Sequence, residues 1–114
     1  MRHRAKKHLR GHKDRRRKEL RALASALILY ERIETTQARA RLTRSKVEKM
    51  ITRGKGQNLN ARRLLSRDLS RNAVNKILEV LSPRYQSRGG GYTRILHTGK
   101  FKDGTAKVSL ELVK

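Results

Sequence analysis

The stretch YTRILHTGKFKDGTAKVSLELV, residues 92–113, decides the fold class. In its second half Ala106, Val108, Leu110 and Leu112 alternate with Lys107, Ser109 and Glu111. A side-chain period of two sends one set toward a core and the other toward solvent, so Ala106–Val113 is expected as a strand with one buried and one exposed face. Tyr92–Thr98 is expected as a second strand. Gly99–Gly104 joins the two, with Asp103-Gly104 as the turn signal of a hairpin.

Upstream the period changes. Leu20, Leu23, Ala24, Leu27 and Ile28 keep the i, i+3, i+4, i+7, i+8 spacing of an amphipathic helix. That spacing predicts a helix over Arg15–Glu31, with Asp14 as its N-cap. Ile33–Thr36 is short and partly β-branched, as a strand would be, and Thr36 suits the N-cap of the next helix. This second helix runs to about Arg53, with Ala40, Val47, Met50 and Ile51 on one face. Gly54 then stands where a left-handed C-cap residue is expected. A third helix over Leu59–Leu69, capped by Asn58, carries Leu64, Leu65 and Leu69. A fourth over Ala73–Leu81, capped by Asn72, carries Val74, Ile77, Leu78 and Leu81, and Ser82-Pro83 ends it. The class is therefore α+β: about four helices packed on a small mixed or antiparallel sheet, with a basic extended N-terminal arm. Residues 1–14 are expected as the arm and 15–114 as a single α+β domain.

Charge narrows the function. The 114 residues hold 31 Lys+Arg against 9 Asp+Glu, a net charge of +22, and only 35% of them are hydrophobic. Globular chains usually reach roughly 45–50% apolar residues, so the core is small. Self-repulsion at +22 opposes compaction unless an anionic partner screens it, and no protein needs that much charge for solubility alone. Cysteine is absent, which excludes disulfides, thiol nucleophiles and Cys-based zinc sites. No apolar run approaches the ~18 residues of a membrane span, and neither a secretory signal nor a Ser-rich transit peptide is legible. One Phe, three Tyr and no Trp are too few for an aromatic platform that reads single-stranded RNA.

Two basic clusters remain as candidate sites. In residues 2–18 ten basic residues face one acid, Asp14. From this arm Arg2, His3, Arg4, Lys6, Lys7, His8, Arg10, His12, Lys13, Arg15, Arg16 and Arg17 are candidate RNA-contacting residues. The second cluster supplies Arg84, Tyr85, Arg88, Gly89, Gly90, Gly91, Tyr92 and Arg94. Guanidinium forks bind phosphate bidentately, and bare glycine backbone lets a sugar–phosphate chain come close. For Gly89–Gly91 the alternative is an ordinary flexible loop. A P-loop is excluded, because no Gly-Lys-Ser/Thr leads into a helix there. His8 and His12 have helical metal-ligand spacing but sit in a field that repels cations. The acids are scattered beside Arg or Lys, as charge-balancing residues are, and form no convergent catalytic set. No enzyme, cofactor, metal or small-molecule substrate is expected. The alternative to an RNA-binding structural protein is a DNA-binding architectural protein, although no apolar wedge for a minor groove is evident.

The residues from Leu81-Ser82-Pro83-Arg84-Tyr85 through Arg88-Gly89-Gly90-Gly91-Tyr92-Thr93-Arg94-Ile95-Leu96 resemble the signature of the bacterial-type large-subunit ribosomal protein seventeen family. The opening Met1–Arg4, the Ile33–Thr36 junction and the ending Leu110–Val113 are similar to that family too. The chain departs from the family pattern at His12–Asp14 and at Arg39–Leu42. The resemblance implies a structural α+β constituent of the large subunit, near its peptide exit side. Its implied partners are large-subunit ribosomal RNA and small basic neighbouring ribosomal proteins, with no membrane. The expected location is the cytoplasm, in the ribosome of a bacterium, with an organelle source left open.

The arm is expected to order only on RNA, since it has almost nothing to bury. Each phosphate that it neutralises adds roughly 0.7–0.9 to the slope of log K against log[salt]. Deleting residues 2–13 should flatten that slope by several such steps in a salt titration of RNA binding; an unchanged slope places the arm in solvent.

Overall fold

The computed structural model describes residues 13–114. The chain runs α1 (Lys13–Tyr30), β1 (Arg32–Thr36), α2 (Gln37–Gly54), α3 (Leu59–Ser66), α4 (Arg71–Lys76), β2 (Thr93–Lys100) and β3 (Ala106–Leu112). Four helices pack on a three-stranded, wholly antiparallel sheet of order β1-β3-β2. The expected α+β class is the observed one. Within the described residues α1 spans Lys13–Tyr30, so Asp14 is a helical residue near the positive end of the dipole and not the cap that precedes the helix.

The apolar stripes meet in one core. Ala24, Leu27 and Ile28 of α1 join Ala40, Val47, Met50 and Ile51 of α2, Leu65 and Leu69 from the α3 region, Val74 and Ile77, and Val108, Leu110 and Leu112 of β3. Full burial of each such Leu, Ile or Val contributes about 1.5–3 kcal/mol. Thr36 and Asn58 cap as expected, accepting from the Arg39 and Ala61 N–H groups. Ser70, not Asn72, caps α4, accepting from the Ala73 N–H. Both are good capping types, and the helix starts two residues earlier than Ala73 because Ser70 holds the extended conformation a cap needs.

Three local expectations are corrected. Pro83 does not end the fourth helix. Residues Ile77–Leu81 widen into a π turn, in which the Ser82 N–H reaches back to the Ile77 carbonyl, and a last helical turn succeeds it over Ser82–Arg84. A proline ring clashes with the carbonyl four residues earlier, and the wider turn accommodates it without a break. On β3 the alternation is not clean: Ala106 is exposed, and Ser109 on the outer face is fully buried. Central strands have both neighbours beside them, and the Arg32 guanidinium donates to the Ser109 hydroxyl at 2.9 Å. Gly54 is no left-handed cap. It is the last residue of α2 and is buried, and a Cβ there would sit 2.5 Å from Ile77 Cγ2. The left-handed residue after α2 is Gln57, with φ 48°.

The turn from α1 into β1 rests on Glu31, whose φ is 63°. Its carboxylate receives Lys76 at 2.9 Å and the Arg84 guanidinium, tying the end of α1 to the middle and the last turn of the fourth helical path. Lys76 also donates to the Leu29 carbonyl at 3.0 Å. The Arg84 hydrogen bond is the largest cause that draws the Glu31 carboxyl from 4.5 down to about 2, with Lys76 adding to it against the cost of burial.

This packing sets two expected outcomes. Gly54→Ala should lower stability by about 1–3 kcal/mol through overpacking, although helix propensity favours alanine by roughly 0.5–1 kcal/mol; thermal denaturation measures the sign. A carboxyl depressed in the folded state stabilises above its unfolded value, and that contribution is lost as pH falls from 4.5 to about 2. Glu31→Gln should therefore be less stable than wild type at neutral pH. The gap should close across that acid window in denaturant titrations.

Candidate nucleic-acid interface

The second basic cluster begins where the fourth helical path meets the sheet. Tyr85 and Tyr92 bracket the intervening loop and are almost wholly buried. Their ring centroids lie 5.0 Å apart, tilted by 39°. Such a pair contributes about 0.5–1.5 kcal/mol beyond its buried area. The Tyr85 hydroxyl donates to the Val113 carbonyl. The Tyr92 hydroxyl accepts from Lys55 Nζ at 2.8 Å and lies 3.3 Å from the Thr52 hydroxyl. Both tyrosines, expected as RNA contacts, are thus core residues whose rings are turned inward. The sequence pattern could not separate them from surface aromatics, because each stands among polar neighbours.

The other candidates part company in space. Arg84 is engaged with Glu31, which raises its pKa further. Arg94 lies on the outer face of the sheet, paired with Glu111 at 3.3 Å. Arg88 and Gly89–Gly91 remain exposed on the loop. A Cβ at any of the three glycines would meet nothing within 4 Å, so no internal neighbour demands them. Gly91 has φ +64°, which favours glycine, whereas Gly90 adopts no such angle. In the arm, Lys13, Arg15, Arg16 and Arg17 lie on the first turns of α1. Arg2, His3, Arg4, Lys6, Lys7, His8, Arg10 and His12 lie outside the described residues. Among the described residues no three His, Cys, Asp or Glu side chains gather as metal ligands, and no helix is long and apolar enough to cross a membrane.

The loop does not stand alone. Lys55, just past α2, donates to the Arg88 carbonyl as well as to Tyr92, and its ammonium lies 4.9 Å from the centroid of the Tyr92 ring. This bracket holds the loop against α2. Between them runs an open groove of about 550 Å³, lined by Ser45, Glu48, Lys49, Thr52, Arg53, Gly90 and Tyr92. The five α2 residues recur at i, i+3, i+4, i+7 and i+8, a polar stripe beside the apolar one. Lys49 and Arg53 are like charges one turn apart, an arrangement that costs an isolated helix about 0.2–0.5 kcal/mol. That unfavourable spacing is the sequence signal for this face, and neither basic cluster includes it. Glu48 is already engaged: its carboxylate accepts from the Thr93 hydroxyl at 3.0 Å and the Thr93 N–H at 3.3 Å, and Arg44 lies 3.9 Å off.

Other acids are similarly occupied. Glu19 pairs with Arg39, Glu34 with Arg32 and Lys107, and Asp68 with Arg21 and Lys46. Pairs this exposed add little stability, but they offset negative charge at the surface. The balance that faces outward is strongly cationic.

The family model for ribosomal protein L17 matches residues 19–113. The chain is 44% identical over 104 residues to the large ribosomal subunit protein bL17 of Halalkalibacterium halodurans, covering 82% of this chain and 87% of that protein. It is 46% identical over 102 residues to the bL17 of Caldanaerobacter subterraneus subsp. tengcongensis, covering 88% and 91%. To the bL17 of Staphylococcus epidermidis it is 44% identical over 112 residues, covering 88% and 92%. A match across nearly the whole described fold, joined to relatives of similar length, leads to one conclusion: this chain belongs to the ribosomal protein L17 family.

Proposed function

We propose that this chain is a structural constituent of the large ribosomal subunit that holds large-subunit ribosomal RNA through its basic surface. The observation that carries it is the loop of Arg88 and Gly89–Gly91, exposed and open to close approach, set beside a cationic helix face. Phosphate contacts position a protein on RNA, and glycine lets the sugar–phosphate chain reach the backbone N–H groups. The N-terminal arm, with Lys13 and Arg15–Arg17 at the start of α1, adds phosphate contacts without base reading. Arg84 and Arg94 serve the fold first through Glu31 and Glu111. Neighbouring ribosomal proteins complete the surroundings, and the bacterial cytoplasm is the location. The catalytic role is none: L17 is a structural family, not an enzyme family.

The test is binding of the full chain to protein-free bacterial large-subunit rRNA, and retention on the subunit through a high-salt wash. Gly90→Val removes no charge and finds open space, so the fold should survive by far-ultraviolet circular dichroism. Weaker rRNA binding is the expected result. Binding equal to wild type reduces the triglycine to a plain loop, and a wild-type chain with no affinity for rRNA sinks the proposal itself.

A further inference from the structure

The groove between α2 and the triglycine loop is cationic on one wall and bare backbone on the other. Ser45, Lys49, Thr52 and Arg53 project from a single helix face, while Gly90 forms part of the opposite wall. We infer that this groove is a seat for one RNA strand, gripped by its phosphodiester backbone and not read by its bases. The inference rests on the rRNA-binding function proposed above and assigns it a place.

Four features support that occupant over any other. First, Lys49 and Arg53 stand one helical turn apart, each exposed and separated as successive groups along a strand would need. Neither is spent on an ion pair among the described residues. Second, the single acid lining the groove is already engaged: Glu48 is held by Thr93 and Arg44. An anionic strand therefore meets little repulsion. Third, hydroxyls at Ser45 and Thr52 flank the cations at helical spacing, and hydroxyls donate to phosphate and 2′-hydroxyl oxygens. Fourth, the opposite wall is pinned. Lys55 locks the Arg88 carbonyl and the buried Tyr92 together, so the loop is held open before any strand arrives. No aromatic face is offered to a base, since the Tyr92 ring is buried against Tyr85. Backbone contact without stacking is what these groups supply.

Two measurements on the full chain test the seat. Lys49→Gln with Arg53→Gln should flatten the slope of log K against log[salt] by about 1.4–1.8 on large-subunit rRNA, the share of two phosphates, and weaken binding about tenfold or more at low salt. Arg63→Gln with Arg67→Gln in the α3 region removes the same charge and serves as control. The chain has no native cysteine, so Ser45→Cys carries a single tethered iron chelate for hydroxyl-radical cleavage. Cuts confined to one short rRNA segment from position 45, at sites different from those given by Ser66→Cys on α3, are expected. A groove pair no weaker than the control pair, or no localised cuts from position 45, overturns the seat while leaving rRNA binding intact. An acidic polypeptide in the groove would give that same uncut RNA and overturns it too. A wild-type chain that does not bind rRNA overturns both the function and the seat.

Discussion

Everything distinctive about this surface depends on the buried contact between Tyr85 and Tyr92. One ends the last helical turn and the other leads into β2, so their stacking fixes both ends of the loop between them. The hydroxyls extend the constraint, Tyr85 to the backbone after β3 and Tyr92 to Lys55 and Thr52 of the α2 region. A loop rich in glycine would ordinarily sample many conformations, at a high entropic cost to any binding event. Here its ends are part of the core, and Lys55 holds its carbonyl side. The open wall of the groove is a consequence of packing, not of the loop's own preferences.

The same core explains how so basic a chain folds with so few apolar residues. Acids are placed where they join elements: Glu31 links α1 to the fourth helical path, Glu48 links α2 to β2, and Asp68 receives Arg21 and Lys46 from α1 and α2. Each tie neutralises a cation within the domain and leaves the remaining cations on the outside. The fold thus segregates charge, with most of its negative groups acting as connectors between elements. A surface built this way suits the polyanionic partner proposed above, whose hold on it would weaken with salt.

Periodicity made the elements legible. Residues at 3.6 spacing in 20–28, 40–51 and 74–81 could only bury themselves as helices, and the alternation after Ala106 could only do so as a strand. Helix caps at Thr36 and Asn58 were readable because a side-chain oxygen satisfies N–H groups one turn ahead, a purely local bond. The family signature in 81–96 was readable too. Net charge, a sum over residues, pointed toward a polyanion without any geometry.

The sequence could not decide any property set by a neighbour distant along the chain. Gly54 looked like a C-cap by position, yet its missing Cβ makes room for Ile77, which is twenty-three residues away. Pro83 looked like a stop, yet a π turn before it lets the helix pass. Tyr85 and Tyr92 looked like surface aromatics in a basic cluster, yet they form the contact on which the loop depends. Lys49 and Arg53 looked like ordinary solvated charge, and only the loop pinned opposite them makes their face a groove. Local chemistry and period act within a turn or two and so are written in the sequence. Which glycine is crowded, which tyrosine is buried and which cations share a wall depend on three-dimensional packing, which only the tertiary structure decides.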